Sequence, residues 1–151
     1  MAVRLNLKDI PANLLPKDLQ NGELKKKQRF AAGFREIGDQ RIYARSKWES
    51  NYGRYLEFLR TQGLIDKWEH EPVTFWFDKI RRGVTSYKPD FRVTHGDAVW
   101  YVEVKGRMDS RSRVTLKRMA KYHPQVEVRL VDAAAYKSLA KQCGSMISGW
   151  E

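Results

Sequence analysis

The sequence predicts a mixed fold of the α/β or α+β type, in which helices pack on a sheet. Segments of helical and strand-like periodicity follow one another in the order helix, antiparallel strands, helix, strand, helix. The length of 151 residues suits one domain, and a hydrophobic fraction of 42% with five tryptophans supplies a core. No internal repeat or low-complexity linker divides the chain.

Residues 1–21 read as a loose arm with one helical turn, interrupted by Pro11 and Pro16. Residues 22–45 are basic and partly helical in propensity; Lys25, Lys26, Lys27 and Arg29 form a solvated face or, alternatively, a DNA contact. Residues 1–45 are thus assigned to an N-terminal basic arm or helical extension, and 46–151 to the core. The first helix spans 46–63, where Trp48, Tyr52, Tyr55, Leu56 and Leu59 recur at helical spacing and Gly63 supplies the stop. Gly53 weakens it slightly. Strand-like runs follow at 64–71, 73–80, 86–95 and 97–105, with turns at Glu71-Pro72, Arg82-Gly83 and His95-Gly96-Asp97. A basic helix at 110–123 stops before Pro124, 126–132 reads as a buried strand, and 133–144 as a last helix.

Composition narrows function. Twenty-nine Lys and Arg against eighteen Asp and Glu give a net charge of +11, which attracts polyanions. Nucleic acid is the leading partner. No apolar run approaches the roughly 20 residues of a membrane span, no basic amphipathic helix suggests a membrane surface, and the N-terminus is too charged for a signal peptide. Cys143 is the single cysteine, which excludes an internal disulfide and a cysteine-based zinc site. A reducing cytoplasm is the expected setting.

Strand geometry singles out a group of polar residues. Alternation puts Val99, Tyr101, Glu103 and Lys105 on one face and Trp100, Val102 and Val104 on the other. Asp90 follows Pro89 on the preceding strand and sits about as far from the short turn as Glu103 does, so pairing brings the two carboxylates together with Lys105. Hydrolysis of a phosphodiester needs such a set. Carboxylates hold a hard divalent cation, and a lysine orients or deprotonates the attacking water and offsets developing charge. Each motif alone is an ordinary turn or ion pair. Their order, and the apolar character of "VWYVEVK", favour the catalytic reading.

Pro89-Asp90 followed by Glu103-Val104-Lys105 resembles the signature of the PD-(D/E)xK nuclease superfamily. Over residues 46–132, with "YKPDF", "YVEVKG" and "YHPQVEVRLVD", the chain is most similar to the phage endonuclease I family of Holliday-junction resolvases and to related small phage nucleases. The resemblance implies a restriction-endonuclease-like core, a mixed central sheet flanked by helices. It implies Asp90, Glu103 and the Val104 carbonyl as ligands of Mg²⁺, with Mn²⁺ able to substitute, and Lys105 as the catalytic lysine. Glu49 fits a further acidic position on the preceding helix, although Ser46-Lys47-Trp48-Glu49 also has the form of a capping box. Glu71 either approaches the site or ends a strand before Pro72. The family further implies a homodimer, whose paired sites make the two cuts a four-way junction requires. The chain departs from the family in a longer N-terminal arm and the lack of an equally basic tail.

After the site, the helix at 110–123 turns Leu116, Met119 and Ala120 inward and leaves Arg113, Lys117, Arg118 and Lys121 outward, with Arg107 and Arg111 in the loop beside Lys105. These bases are expected to contact phosphates without reading sequence. His70, His95 and His123 are scattered and read as structural, and no phosphate-cradling glycine loop is present. The expected activity is a structure-selective, Mg²⁺-dependent DNA endonuclease. The alternatives are a nuclease or nickase on linear or single-stranded DNA, and a non-catalytic basic DNA-binding protein on a nuclease fold.

Overall fold

The computed structural model describes residues 32–151. The arm at 1–21 and the run containing Lys25, Lys26, Lys27 and Arg29 lie outside the described residues.

An antiparallel hairpin comes first, β1 (Gly33–Ile37) and β2 (Gln40–Ala44), closed by Gly38 and Asp39. Gly38 has φ +60°, the left-handed conformation that a two-residue hairpin turn requires. This corrects the partly helical reading of 22–45 over its second half. The residues alternate in burial along both strands, a period of two that a helix cannot provide. Ile37, Ile42 and Ala44 join the main core, so the packed unit extends upstream of residue 46.

Helix α1 (Lys47–Thr61) starts where Ser46, extended at φ −148°, accepts the Glu49 N–H. It buries Leu56, Phe58 and Leu59, and Gly63 turns the chain away at φ +72°. Gly53 has a positive reason to be there: a Cβ would lie 3.2 Å from Ile37 Cδ1 and 3.4 Å from the Phe91 ring. Its lack of a side chain lets α1 close on the hairpin and sheet.

The central sheet contains β3 (Lys67–His70), β6 (Phe91–His95), β7 (Ala98–Val104) and β8 (Val128–Val131), in the order β3-β6-β7-β8. The first two pairings are antiparallel and β7–β8 is parallel. The parallel pair needs a crossover, supplied by α2 (Ser110–Tyr122), whose N-cap Asp109 accepts the Ser112 N–H. Helix α3 (Ala133–Cys143) is capped likewise by Asp132. The fold is therefore mixed α/β, with three helices and a mixed four-stranded sheet among the described residues.

Each predicted strand is shorter than its sequence run, β8 is only partly buried with Leu130 exposed, and two runs are cut back most. Within 73–80 only β4 (Phe75–Trp76) is paired, with β5 (Ser86–Tyr87), because the chain turns through Lys79 at φ 68°. The run 86–95 is broken between Tyr87 and Phe91, where Pro89 has no N–H to give a ladder. The β4–β5 hairpin covers one face of the sheet: Phe75 meets Tyr101 edge-on at 5.1 Å, and Phe77, Val84, Tyr87 and Met119 of α2 form a second apolar cluster there. The main core, with Trp68, Phe91, Val93, Val102, α1 and α3, fills the other face.

On α2, Met119 is buried and Leu116 half-buried as expected, but Ala120 is exposed. Arg118 is not outward: it is half-buried and donates to the Val84 carbonyl. The β4–β5 loop supplies an acceptor that helical periodicity alone does not reveal.

Candidate active site

Asp90 owes its place to the break at Pro89. Both residues are buried, and the chain enters β6 one residue later. The register pairs Phe91 with Val102, so one further step sets Asp90 opposite Glu103. Asp90 Oδ2 accepts the Val104 N–H at 2.8 Å, which ties it to β7. Glu103 Oε2 accepts the Tyr87 hydroxyl at 2.9 Å. Lys105 lies two residues on, as alternation requires, and its charge acts on Glu103.

Glu49, in the first turn of α1, faces the same place. Asp90, Glu103, Val104, Lys105 and Glu49 all line one cleft of about 400 Å³. Glu49 is only 4% exposed; Oε2 accepts the Arg45 N–H at 2.9 Å and Oε1 lies 2.6 Å from His70 Nε2. The capping box is therefore half realised. Ser46 caps the helix, but the Glu49 carboxylate returns to the backbone of Arg45 rather than that of Ser46.

Arg45 reaches into the cleft between β2 and α1. It pairs with Glu71, and its guanidinium is 3.7 Å from Asp90 Oδ1. Glu71 also faces Lys88 at 3.6 Å, and its N–H donates to the Asp90 carbonyl at 2.8 Å. Glu71 both follows a strand and borders the site.

The fold under-compensates the central carboxylates. Burial raises the Asp90 carboxyl well above the usual range, and the charges of Glu103 and Glu49 raise it further, against the Val104 N–H and Arg45. Burial also raises Glu103, against the Tyr87 hydrogen bond, Lys105 and Arg45. Buried anions that face one another favour a bound cation. The donor set fits a hard divalent ion: Asp90 and Glu103 offer carboxylate oxygens, and Val104, the residue after Glu103, lines the same cleft. Glu49, His70 and Glu71 form a neighbouring group whose ligand atoms lie within 4.8 Å of one another. Their oxygens are already engaged by Arg45, His70 and Lys88, so this group is the more compensated flank.

Of the basic residues, Arg111 lines the cleft at the start of α2. Arg107, Arg113, Lys117 and Lys121 are exposed, and Arg118 is held by Val84. His95 stays at its turn, 3.6 Å from Asp66, and His123 Nε2 meets the Trp76 carbonyl at 2.9 Å. His70 is packed against Phe91 and holds Glu49, so its structural role is exercised at the edge of the site. Sequence reasoning missed Arg45 and Tyr87. The run "EHEP" at 69–72, a histidine between two acids before a proline, was the available signal for His70.

Comparison with family models, curated proteins and solved structures finds no match to this chain. Among the described residues, no helix is long and apolar enough to cross a membrane.

Proposed function

We propose that this protein is a metal-dependent DNA endonuclease that hydrolyses phosphodiester bonds, on a core similar to that of the PD-(D/E)xK nucleases. The observation that carries this reading is the convergence of Asp90, Glu103 and Lys105 in one cleft, with both carboxyls raised by burial. Asp90, Glu103 and the Val104 carbonyl would hold Mg²⁺, with Mn²⁺ able to substitute and Glu49 at the edge of the set. Such an ion, when bound, polarises a phosphate and lowers the pKa of its water. Lys105 orients the attacking water, takes part in its deprotonation and offsets charge on the phosphate. Tyr87 holds Glu103 in place through its hydroxyl. Arg111 in the cleft and the exposed Arg107, Arg113, Lys117 and Lys121 contact the phosphate backbone.

The favoured substrate is branched DNA, including four-way junctions, in phage recombination or processing in the host cytoplasm. A homodimer would supply the second cut. Linear or single-stranded DNA in replication or packaging is the enzymatic alternative. The non-catalytic reading draws on one contact: Arg45 at 3.7 Å from Asp90 supplies positive charge that a binding-only protein would keep there.

One assay separates these readings. A four-way junction, a matched linear duplex and single strands are incubated with Mg²⁺ and with chelator. Cleavage is expected with Mg²⁺ alone, strongest on the junction. Asp90→Asn, Glu103→Gln and Lys105→Ala are expected to abolish it while DNA binding survives. Cleavage unchanged in the two carboxylate variants would remove the mechanism, and binding without any cleavage would leave the non-catalytic reading.

A further inference from the structure

We infer that the outward face of the β1–β2 hairpin is a stacking platform for an unpaired base of DNA whose adjoining phosphate enters the cleft. This deepens the nuclease reading and rests on it for the role of the cleft. The inward face of the hairpin is committed to the core through Ile37, Ile42 and Ala44. Its outward face carries Phe34 and Tyr43, 61% and 49% exposed. They are cross-strand partners, and their rings meet edge-on with centroids 5.1 Å apart. A cross-strand aromatic pair steadies a two-stranded ribbon, which accounts for the rings touching one another but not for the basic group beside them. Arg41 lies over the Phe34 ring at 4.6 Å. Its partner Glu36 is 3.5 Å away with both side chains well exposed, so that pair restrains it little.

Position supplies the second argument. Alternation along β2 sends Arg41 and Tyr43 to one side of the ribbon, and Arg45 continues the series into the cleft, where it reaches Asp90. Two residues of strand span about 7 Å, so Tyr43 stands about that far along the chain from Arg45, whose guanidinium reaches the proposed site. Aromatic faces stack on any base, and arginine adds cation–π and phosphate contacts. In a duplex the base faces are covered by their neighbours. The occupant is therefore single-stranded: a flap, an overhang or an unpaired base at a branch. The net charge of +11 complements such a strand.

The test uses the full chain with chelator present, and DNA carrying 2-aminopurine in an overhang next to a duplex. Wild type is expected to quench the 2-aminopurine and to prefer overhang over blunt duplex by about tenfold. The paired variant Phe34→Ala with Tyr43→Ala is expected to lose the quenching and the preference while keeping its blunt-duplex affinity. Phe34→Leu with Tyr43→Leu, which keeps apolar bulk on the ribbon, is expected to lose them too, with an unchanged melting temperature. A wild type without preference, a preference that survives both variants, or an equal loss on both DNAs would overturn the platform. So would a wild-type dimer in sedimentation that the variants turn into a monomer, which would make a second copy the occupant. If base quenching holds but Mg²⁺ brings no cleavage of any DNA, the nuclease reading fails and the platform stands. If cleavage occurs without quenching, the platform alone fails.

Discussion

Glu49 and Ser50 are adjacent in the first turn of α1, yet they face two carboxylate clusters of opposite character. On the Ser50 side, Glu151 accepts from Ser50 at 2.7 Å, Arg54 at 2.7 Å and Arg35 at 3.0 Å. Burial alone would raise this carboxyl, but those hydrogen bonds overturn the effect and hold it at about 2. On the Glu49 side, Asp90 has one backbone N–H at 2.8 Å and one guanidinium at 3.7 Å, and its carboxyl is raised. One cluster carries its own counter-charges and acts as a clasp. The other sets only Arg45 and Lys105 against Asp90, Glu103 and Glu49, and that shortfall is what a cation site needs.

The sharpest way to break the comparison is catalytic. Removing Asp90, Glu103 or Lys105 is expected to lower cleavage by about 10³-fold or more, roughly 4 kcal/mol of transition-state stabilisation, whereas Glu151→Gln leaves the rate per folded molecule unchanged. Single-turnover cleavage measures both. A comparable loss in Glu151→Gln would erase the distinction.

Stability should divide the clusters in the opposite sense. Glu151→Gln is expected to lower unfolding free energy by about 2 kcal/mol in urea titrations, because Arg35 and Arg54 lose a charged acceptor. The folded carboxyl titrates near 2 and the unfolded one in the ordinary glutamate range. The clasp is therefore fully present above that range and is lost as pH falls towards 2. A Glu151→Gln profile parallel to wild type through this acid limb would contradict the assignment.

Asp90→Asn is expected to act the other way by about 1–3 kcal/mol, raising the stability of the metal-free protein at neutral pH. The Asp90 carboxyl is raised on folding, so the folded state holds its proton longer than the unfolded state. Wild-type stability should decline as pH rises above the ordinary aspartate range, and the variant should lack that decline. A destabilised Asp90→Asn would show that the carboxylate is structural.

The smallest effect separates two neighbours on α2. Lys117→Ala is expected to reduce the slope of log affinity against log salt by about one for DNA binding. Arg118→Ala is expected to leave that slope nearly unchanged and to lower stability by about 1 kcal/mol through loss of its bond to Val84. Equal slopes for the two variants would restore the outward reading of Arg118.

Helix caps and periodicity made α1, α2 and α3 legible to within a few residues, and counting outward from the Gly96 turn made the Asp90–Glu103 pairing legible. These are local signals. The β1–β2 hairpin was masked because charged residues occupy much of its outward face, and basic composition suggested a solvated helix. Arg45 and Tyr87 were not legible, and His70 was marked only by the run at 69–72, because tertiary packing sets their partners: β3 carries His70 to Glu49, and the β4–β5 hairpin carries Tyr87 to Glu103. The carboxylate of Glu49 was legible as a cap or a ligand, but not as the acceptor of the Arg45 N–H.

Arg45 and Lys105 leave Asp90 and Glu103 under-compensated, and a divalent cation supplies the balance. Calorimetric titration of Mn²⁺ into the metal-free protein near neutral pH, in two buffers of different ionisation enthalpy, tests it most directly. Saturable binding with proton release is expected in wild type, and loss of that binding in both Asp90→Asn and Glu103→Gln. Binding of equal strength in either variant, or no binding in wild type, would contradict it.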